Sequence, residues 1–105
     1  MQIAFFDSGI GGLTVLHQAR RKMPQENFLY YADTDHVPYG RKTKDEIRRY
    51  VQEAVDFIAQ QDVKALVVAC NTATSVAIQA LRARYSFPIF GMEPAVKPAV
   101  NDTSC

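Results

Sequence analysis

The stretch Val63-Lys64-Ala65-Leu66-Val67-Val68-Ala69-Cys70-Asn71-Thr72-Ala73-Thr74 decides the fold. Val63 to Ala69 is a short, nearly continuous apolar run, the pattern of a strand buried on both faces of a parallel sheet. Directly after it, Ala73, Val76, Ala77, Ala80 and Leu81 recur at helical spacing. The reading is strand, turn, helix, with Cys70 at the carboxyl end of the strand. Open α/β sheets bind ligands along that edge. Asn71 or Thr72 is expected to cap the helix through a side-chain oxygen. The free N–H groups and positive dipole end of the helix favour an anion nearby. A thiol placed there has its pKa lowered from about 8.5 toward neutrality. A buried, inert strand-end cysteine is the other reading, and position alone leaves both open.

The same unit occurs upstream. Gln2 to Phe6 is apolar and aromatic, and Asp7-Ser8-Gly9-Ile10-Gly11-Gly12-Leu13 is a glycine-rich turn into a helix. Ser8 is expected to cap that helix, and the glycines allow a tight turn and close approach of a ligand to the backbone. Leu13, Leu16 and Ala19 give an apolar stripe, and Pro24 ends the helix. Asn27 to Ala32, with Phe28, Tyr30 and Tyr31, is the second strand. Residues 33–42 form a loop punctuated by Pro38 and Gly40, long for a βα connection, and long loops at this edge tend to be functional. Thr43-Lys44-Asp45-Glu46 is a capping box. Ile47, Tyr50, Val51, Ala54, Phe57 and Ile58 then mark an amphipathic helix. Phe87 to Met92 reads as a short fourth strand, and Glu93 to Val100 as the start of another helix with Pro94 at its first position.

The alternation predicts an α/β fold: a parallel sheet of about four strands with right-handed crossovers and helices on both faces, three-layered and Rossmann-like. Residues 1–100 are expected to make one domain and 101–105 a disordered or non-family tail. Three strand ends then meet at one edge with Asp7 and Ser8, with Asp33 to Gly40, and with Cys70, Asn71 and Thr72. That convergence of carboxylates, hydroxyls, an amide and a thiol argues for a small-molecule site.

Composition narrows the class. With 105 residues, 48% of them hydrophobic, and a net charge of +1, the chain has a globular make-up and no general electrostatic attraction to nucleic acid or an anionic membrane. No apolar run approaches the roughly 20 residues of a membrane span. A secretory signal is not expected, because a strand starts at once with no basic region before it. Two distant cysteines make neither a disulfide framework nor a zinc site, so a cytoplasmic protein with reduced thiols is expected.

Several motifs fail on inspection. The dinucleotide fingerprint G-x-G-x-x-G breaks at Thr14, and no Gly-Lys-Ser/Thr follows the glycines to make a P-loop. Asp33, Asp35 and His36 read as solvated turn residues in preference to metal ligands. Arg41, Lys42, Lys44, Arg48 and Arg49, mixed with Asp45 and Glu46, read as a solvated helix face.

Asp7-Ser8-Gly9-Ile10-Gly11-Gly12-Leu13, Pro38-Tyr39-Gly40 and Cys70-Asn71-Thr72-Ala73-Thr74 together resemble the bacterial glutamate racemases, in order and in spacing. Gly91-Met92-Glu93-Pro94-Ala95 is similar to the family's segment at the end of its first domain, and the resemblance covers residues 2 to 100. It implies an isomerase that interconverts L- and D-glutamate without pyridoxal phosphate or metal, supplying D-glutamate for peptidoglycan. It implies that Cys70 is one of two catalytic thiols. It also implies that Asp7, Ser8, Tyr39, Gly40, Asn71 and Thr72 line the substrate site. Asp7 then orients Cys70, takes its proton, or holds the substrate ammonium. The family's opposing cysteine lies in a Gly-Cys-Thr-His context of a second, similar domain. Cys105, in Thr-Ser-Cys, does not match it. The expectation is therefore the N-terminal half of a two-domain racemase, inactive alone and prone to self-association. An aspartate-type racemase and a non-catalytic ligand-binding or dimerising module are the alternatives.

Overall fold

Strands that are apolar at successive positions need cover on two faces, and a parallel sheet with crossover helices supplies it. The computed structural model describes residues 1–9, 12–36 and 39–92. Its elements are β1 (Gln2–Asp7), α1 (Leu13–Lys22), β2 (Asn27–Ala32), a 3-10 turn (Tyr39–Arg41), α2 (Lys44–Ala59), β3 (Val63–Val68), α3 (Asn71–Arg84) and β4 (Ile89–Gly91). All four strands are parallel, in the order β2-β1-β3-β4. Right-handed crossovers in that order put α1 on one face and α2 with α3 on the other.

Burial agrees with that division. Ala4, Phe6, Leu66 and Val68 share one core with Ile47, Val51, Val55 and Ile58 of α2 and Ala77, Ile78 and Leu81 of α3. Phe5 is buried apart from that core, its ring 6.0 Å from Phe28, and Leu16 is the buried residue of α1. The three-layer sheet expected from the alternation is the fold.

The capping box forms as its residues require. Thr43 Oγ1 accepts the Glu46 N–H at 3.1 Å, and Glu46 Oε1 accepts the Thr43 N–H at 2.9 Å. Other boundaries differ from the sequence reading. α3 begins at Asn71, two residues before Ala73, because Cys70 takes the cap position in place of Asn71 or Thr72. Ser8 does not cap α1; Gly12 stands there without a side-chain cap. β4 is confined to the three residues that pair with Leu66, Val67 and Val68. Phe57 and Leu13, placed on apolar stripes, are exposed.

At Gly91 the chain runs so close to α3 that a Cβ would lie 2.5 Å from Thr74 Cγ2. Among the described residues no helix is long and apolar enough to cross a membrane. The helix expected over Glu93 to Val100, the tail 101–105 with Cys105, and Ile10, Gly11, Val37 and Pro38 lie outside the described residues.

Candidate active site

β1 delivers Asp7 to the carboxyl edge of the sheet with its side chain fully buried. A buried carboxylate is costly unless donors surround it. Asp7 Oδ1 accepts the Ser8 N–H at 2.8 Å, and Oδ2 accepts the Gly12 N–H at 2.5 Å and the Tyr30 hydroxyl at 3.2 Å. The same Tyr30 hydroxyl lies 3.1 Å from the Gly9 carbonyl. Asp7 thus ties both ends of the glycine turn, which is why α1 starts without a capping side chain. Burial first, and the charge and hydrogen bond of Asp7 next, push the Tyr30 phenol up to about 12.

β3 delivers Cys70, also fully buried. Its backbone is extended while its Sγ accepts the Ala73 N–H at 3.4 Å, so the sulfur is the cap of α3. Ser8 Oγ lies 3.3 Å from Sγ, joining the β1 and β3 ends. Cys70 is disulfide-bonded in this structure, where reduced thiols were expected, so the thiol chemistry below is that of the reduced protein. Asn71 and Thr72 follow, half-buried, in the first turn of α3. Thr74 is buried beneath them: its hydroxyl donates to the Val68 carbonyl at 3.3 Å and accepts the Met92 N–H at 3.1 Å.

β2 delivers Asp33, only 6% exposed. Its N–H donates to the Asp7 carbonyl at 2.9 Å, extending the β1–β2 ladder to the site. Its carboxylate accepts the Tyr39 hydroxyl at 2.7 Å and His36 Nδ1 at 2.8 and 2.9 Å. A carboxylate only accepts, so Nδ1 carries the hydrogen. Tyr39 is buried, in the same core as Cys70, and burial with the Asp33 bond holds its phenol far above the usual range. No group of three metal-ligating side chains gathers among the described residues.

The structure therefore brings Asp7, Ser8 and Cys70 into one bonded group, sets Asn71 and Thr72 on its α3 side, and places Tyr39 beside Asp33. Gly40 lies in the 3-10 turn after Tyr39. Tyr30, and Asp33 as the partner of Tyr39, were missed by sequence reasoning. Strand alternation carried the signal: Tyr30 pairs with Phe5, which places it on the same face as Asp7. Two open surface hollows of about 460 and 380 Å³, lined by basic residues such as Arg20, Arg21, Arg48 and Arg49, do not include these residues.

Fold and site geometry together define a parallel α/β protein with a buried strand-end cysteine at the carboxyl edge of its sheet. The family model for Asp/Glu/Hydantoin racemases matches residues 13–102, and the chain belongs to that family. It is 57% identical over 101 residues to glutamate racemase 2 of Bacillus subtilis and 60% identical over 100 residues to glutamate racemase of Halothermothrix orenii. These matches cover 96% and 95% of this chain but 38% and 40% of those proteins, so the chain spans about two fifths of their length. Among solved structures, glutamate racemase from Aquifex pyrophilus superposes with a TM-score of 0.83 at 44% identity, covering 87% of this chain and 36% of that one. The Escherichia coli enzyme in complex with L-glutamate and the activator UDP-MurNAc-ala gives 0.86 at 37% identity, covering 92% and 37%.

Proposed function

We propose that this chain supplies one catalytic half of a glutamate racemase, an isomerase that interconverts L- and D-glutamate for peptidoglycan and cell-wall synthesis. The observation that carries the reading is Cys70 at the β3–α3 junction, its sulfur facing the Ala73 N–H and the Ser8 hydroxyl. Support for glutamate as the substrate comes from the relatives, which are glutamate racemases, and from the Francisella tularensis enzyme solved in complex with D-glutamate.

In the reduced protein the Cys70 thiolate takes the α-proton from one face of glutamate. The planar carbanion changes configuration only if a proton returns on the other face, which needs a second acid. The glutamate racemases this chain matches are more than twice its length, and we assign that second group to the part of them that the match does not cover. The Ala73 N–H and the N-terminal end of α3 favour the thiolate over the thiol. Ser8, Asn71 and Thr72 offer polar groups for a substrate carboxylate. Asp7 orients the turn that carries Ser8 and sets a fixed negative charge near the substrate ammonium. Its oxygens already hold Ser8, Gly12 and Tyr30, which favours this role over proton transfer with Cys70. Thiolate chemistry requires a reducing compartment, so we place the protein in the cytoplasm. The exposed Phe90 on the α1 side of the sheet favours self-association.

The test is racemisation followed by circular dichroism. The reduced chain alone is expected to show no turnover. Mixing it with the remaining C-terminal part of the Bacillus subtilis relative is expected to restore turnover. Robust racemisation by the purified chain alone would contradict the half-site reading.

A further inference from the structure

We propose that His36 is a positioning residue, clamped between Tyr50 and Asp33, that fixes Tyr39 in the substrate wall. This rests on the proposed racemase site, of which Tyr39 is part. The His36 ring lies flat on Tyr50 of α2, with centroids 3.7 Å apart and an interplanar angle of 8°. The Arg49 guanidinium stands 5.3 Å from the centroid of the same Tyr50 ring. From this stack His36 Nδ1–H reaches both oxygens of Asp33, and Asp33 Oδ2 in turn takes the Tyr39 hydroxyl. A continuous ladder runs from α2 through Tyr50, His36 and Asp33 to Tyr39.

Three features separate this ladder from ordinary packing. The His36 side chain is 36% exposed, so it covers little core, whereas the Asp33 carboxylate it holds is buried. α2 is already started by the Thr43–Glu46 capping box, so His36 is not needed to form the helix. Without the Nδ1–H donor, the Asp33 carboxylate can rotate, and the Tyr39 hydroxyl would move with the oxygen it follows.

The order of the groups is also not that of a histidine-activated tyrosine. In a nucleophile–histidine–carboxylate triad the histidine stands between the other two. Here the carboxylate is central, and Tyr39 donates to it, which stabilises the neutral phenol. Tyr39 therefore contributes its place to the site, with its hydroxyl already held.

The test uses the reduced chain with labelled tyrosine, L-glutamate as the probe, and three readouts: the Tyr39 ring signals in NMR, glutamate affinity by titration, and the thermal midpoint. His36→Ala is expected to shift the Tyr39 signals and weaken glutamate binding by about tenfold or more, the scale of losing a hydrogen bond to a charged group, with the midpoint lowered by that same lost bond but the chain still folded. His36→Asn, whose amide can donate to Asp33, is expected to recover both, and Tyr50→Phe, which keeps the stack, to remain near native. Native Tyr39 signals and affinity in His36→Ala would overturn the proposal. So would an affinity loss that only follows a lowered midpoint and is not rescued by Asn. A native chain that takes up no glutamate overturns the substrate reading instead. The ladder is then decided by the Tyr39 signals: a shift in His36→Ala upholds it and no shift overturns it.

Discussion

Tyr30 shows how much one hydroxyl can decide. Its phenol keeps its proton because burial and the Asp7 carboxylate both oppose a second negative charge. In the unfolded chain a tyrosine ionises near 10, whereas here Tyr30 does so at about 12. The folded state therefore binds the proton more tightly between those values, and stability falls as pH rises through that window. The contribution is complete below pH 10 or so and lost above the folded value. Phenolate absorbance should show Tyr30 ionising late, and Tyr30→Phe should take one tyrosine's amplitude out of that late range, leaving the still later ionisation of Tyr39. An ordinary titration midpoint for Tyr30 would contradict the Asp7 contact. At Cys70 the expectation runs the other way: alkylation of the reduced protein against pH, in a Cys105→Ser background, should give an apparent pKa below that of a free thiol. A value at or above it would leave Cys70 as an inert buried cysteine. The sequence placed this thiol at its strand end but not the Ser8 hydroxyl beside it, because a contact between residues 62 positions apart exists only after the strands pair.

At the level of elements, periodicity was readable and capping only partly so. β1, β2 and α2 follow from apolar spacing and a local Thr43–Glu46 pair, both of which act within a few residues. The start of α3 was not readable in the same way, because a cysteine sulfur stood in for the oxygen expected from Asn71 or Thr72. The cap of α1 was misassigned to Ser8 because the Gly12 N–H at the helix start goes to Asp7, five residues earlier and in the preceding strand. The β4–α3 contact makes a sharper prediction. Thr74 is β-branched, buried, and bonded at both Val68 and Met92, so its methyl cannot swing away from Gly91. Gly91→Ala should therefore cost about 1–3 kcal/mol, the range of overpacking a tight core, measured by urea denaturation. Gly91→Ala paired with Thr74→Ser, which removes the clashing methyl, should recover part of that loss. Equal stability of Gly91→Ala and the native chain would show that the approach is looser than described.

For the whole molecule, the two faces of the sheet are unequally covered. Among the described residues, α2 and α3 together bury one face, whereas α1 alone serves the other, where Phe90 of β4 is 55% exposed. Phe90 pairs with Val67, and Val67 with Phe5, so it extends the same apolar row beyond the reach of α1. Such a surface seeks a partner. Sedimentation at rising concentration should show self-association, and Phe90→Ser should weaken it; a monomer at high concentration would contradict this. The overall class was legible from strand–helix alternation, which needs no knowledge of long-range contacts. The ladder through Asp33 and His36 was not, because adjacent acids and a histidine in a loop look the same whether they face water or each other.

Cys70 is the proposed acid/base group for one face of glutamate, and every other role assigned to the site depends on it. The most direct measurement is loss of the α-hydrogen of L- and D-glutamate to heavy water, followed by NMR. It compares the reduced native chain with Cys70→Ser, each mixed with the C-terminal part of the Bacillus subtilis relative. Groups that act as a unit fail together, so Cys70→Ser should lower racemisation by about several orders of magnitude. At least one enantiomer should lose its exchange, while the native mixture exchanges both. Exchange of both enantiomers at native rates in the Cys70→Ser mixture would contradict the account.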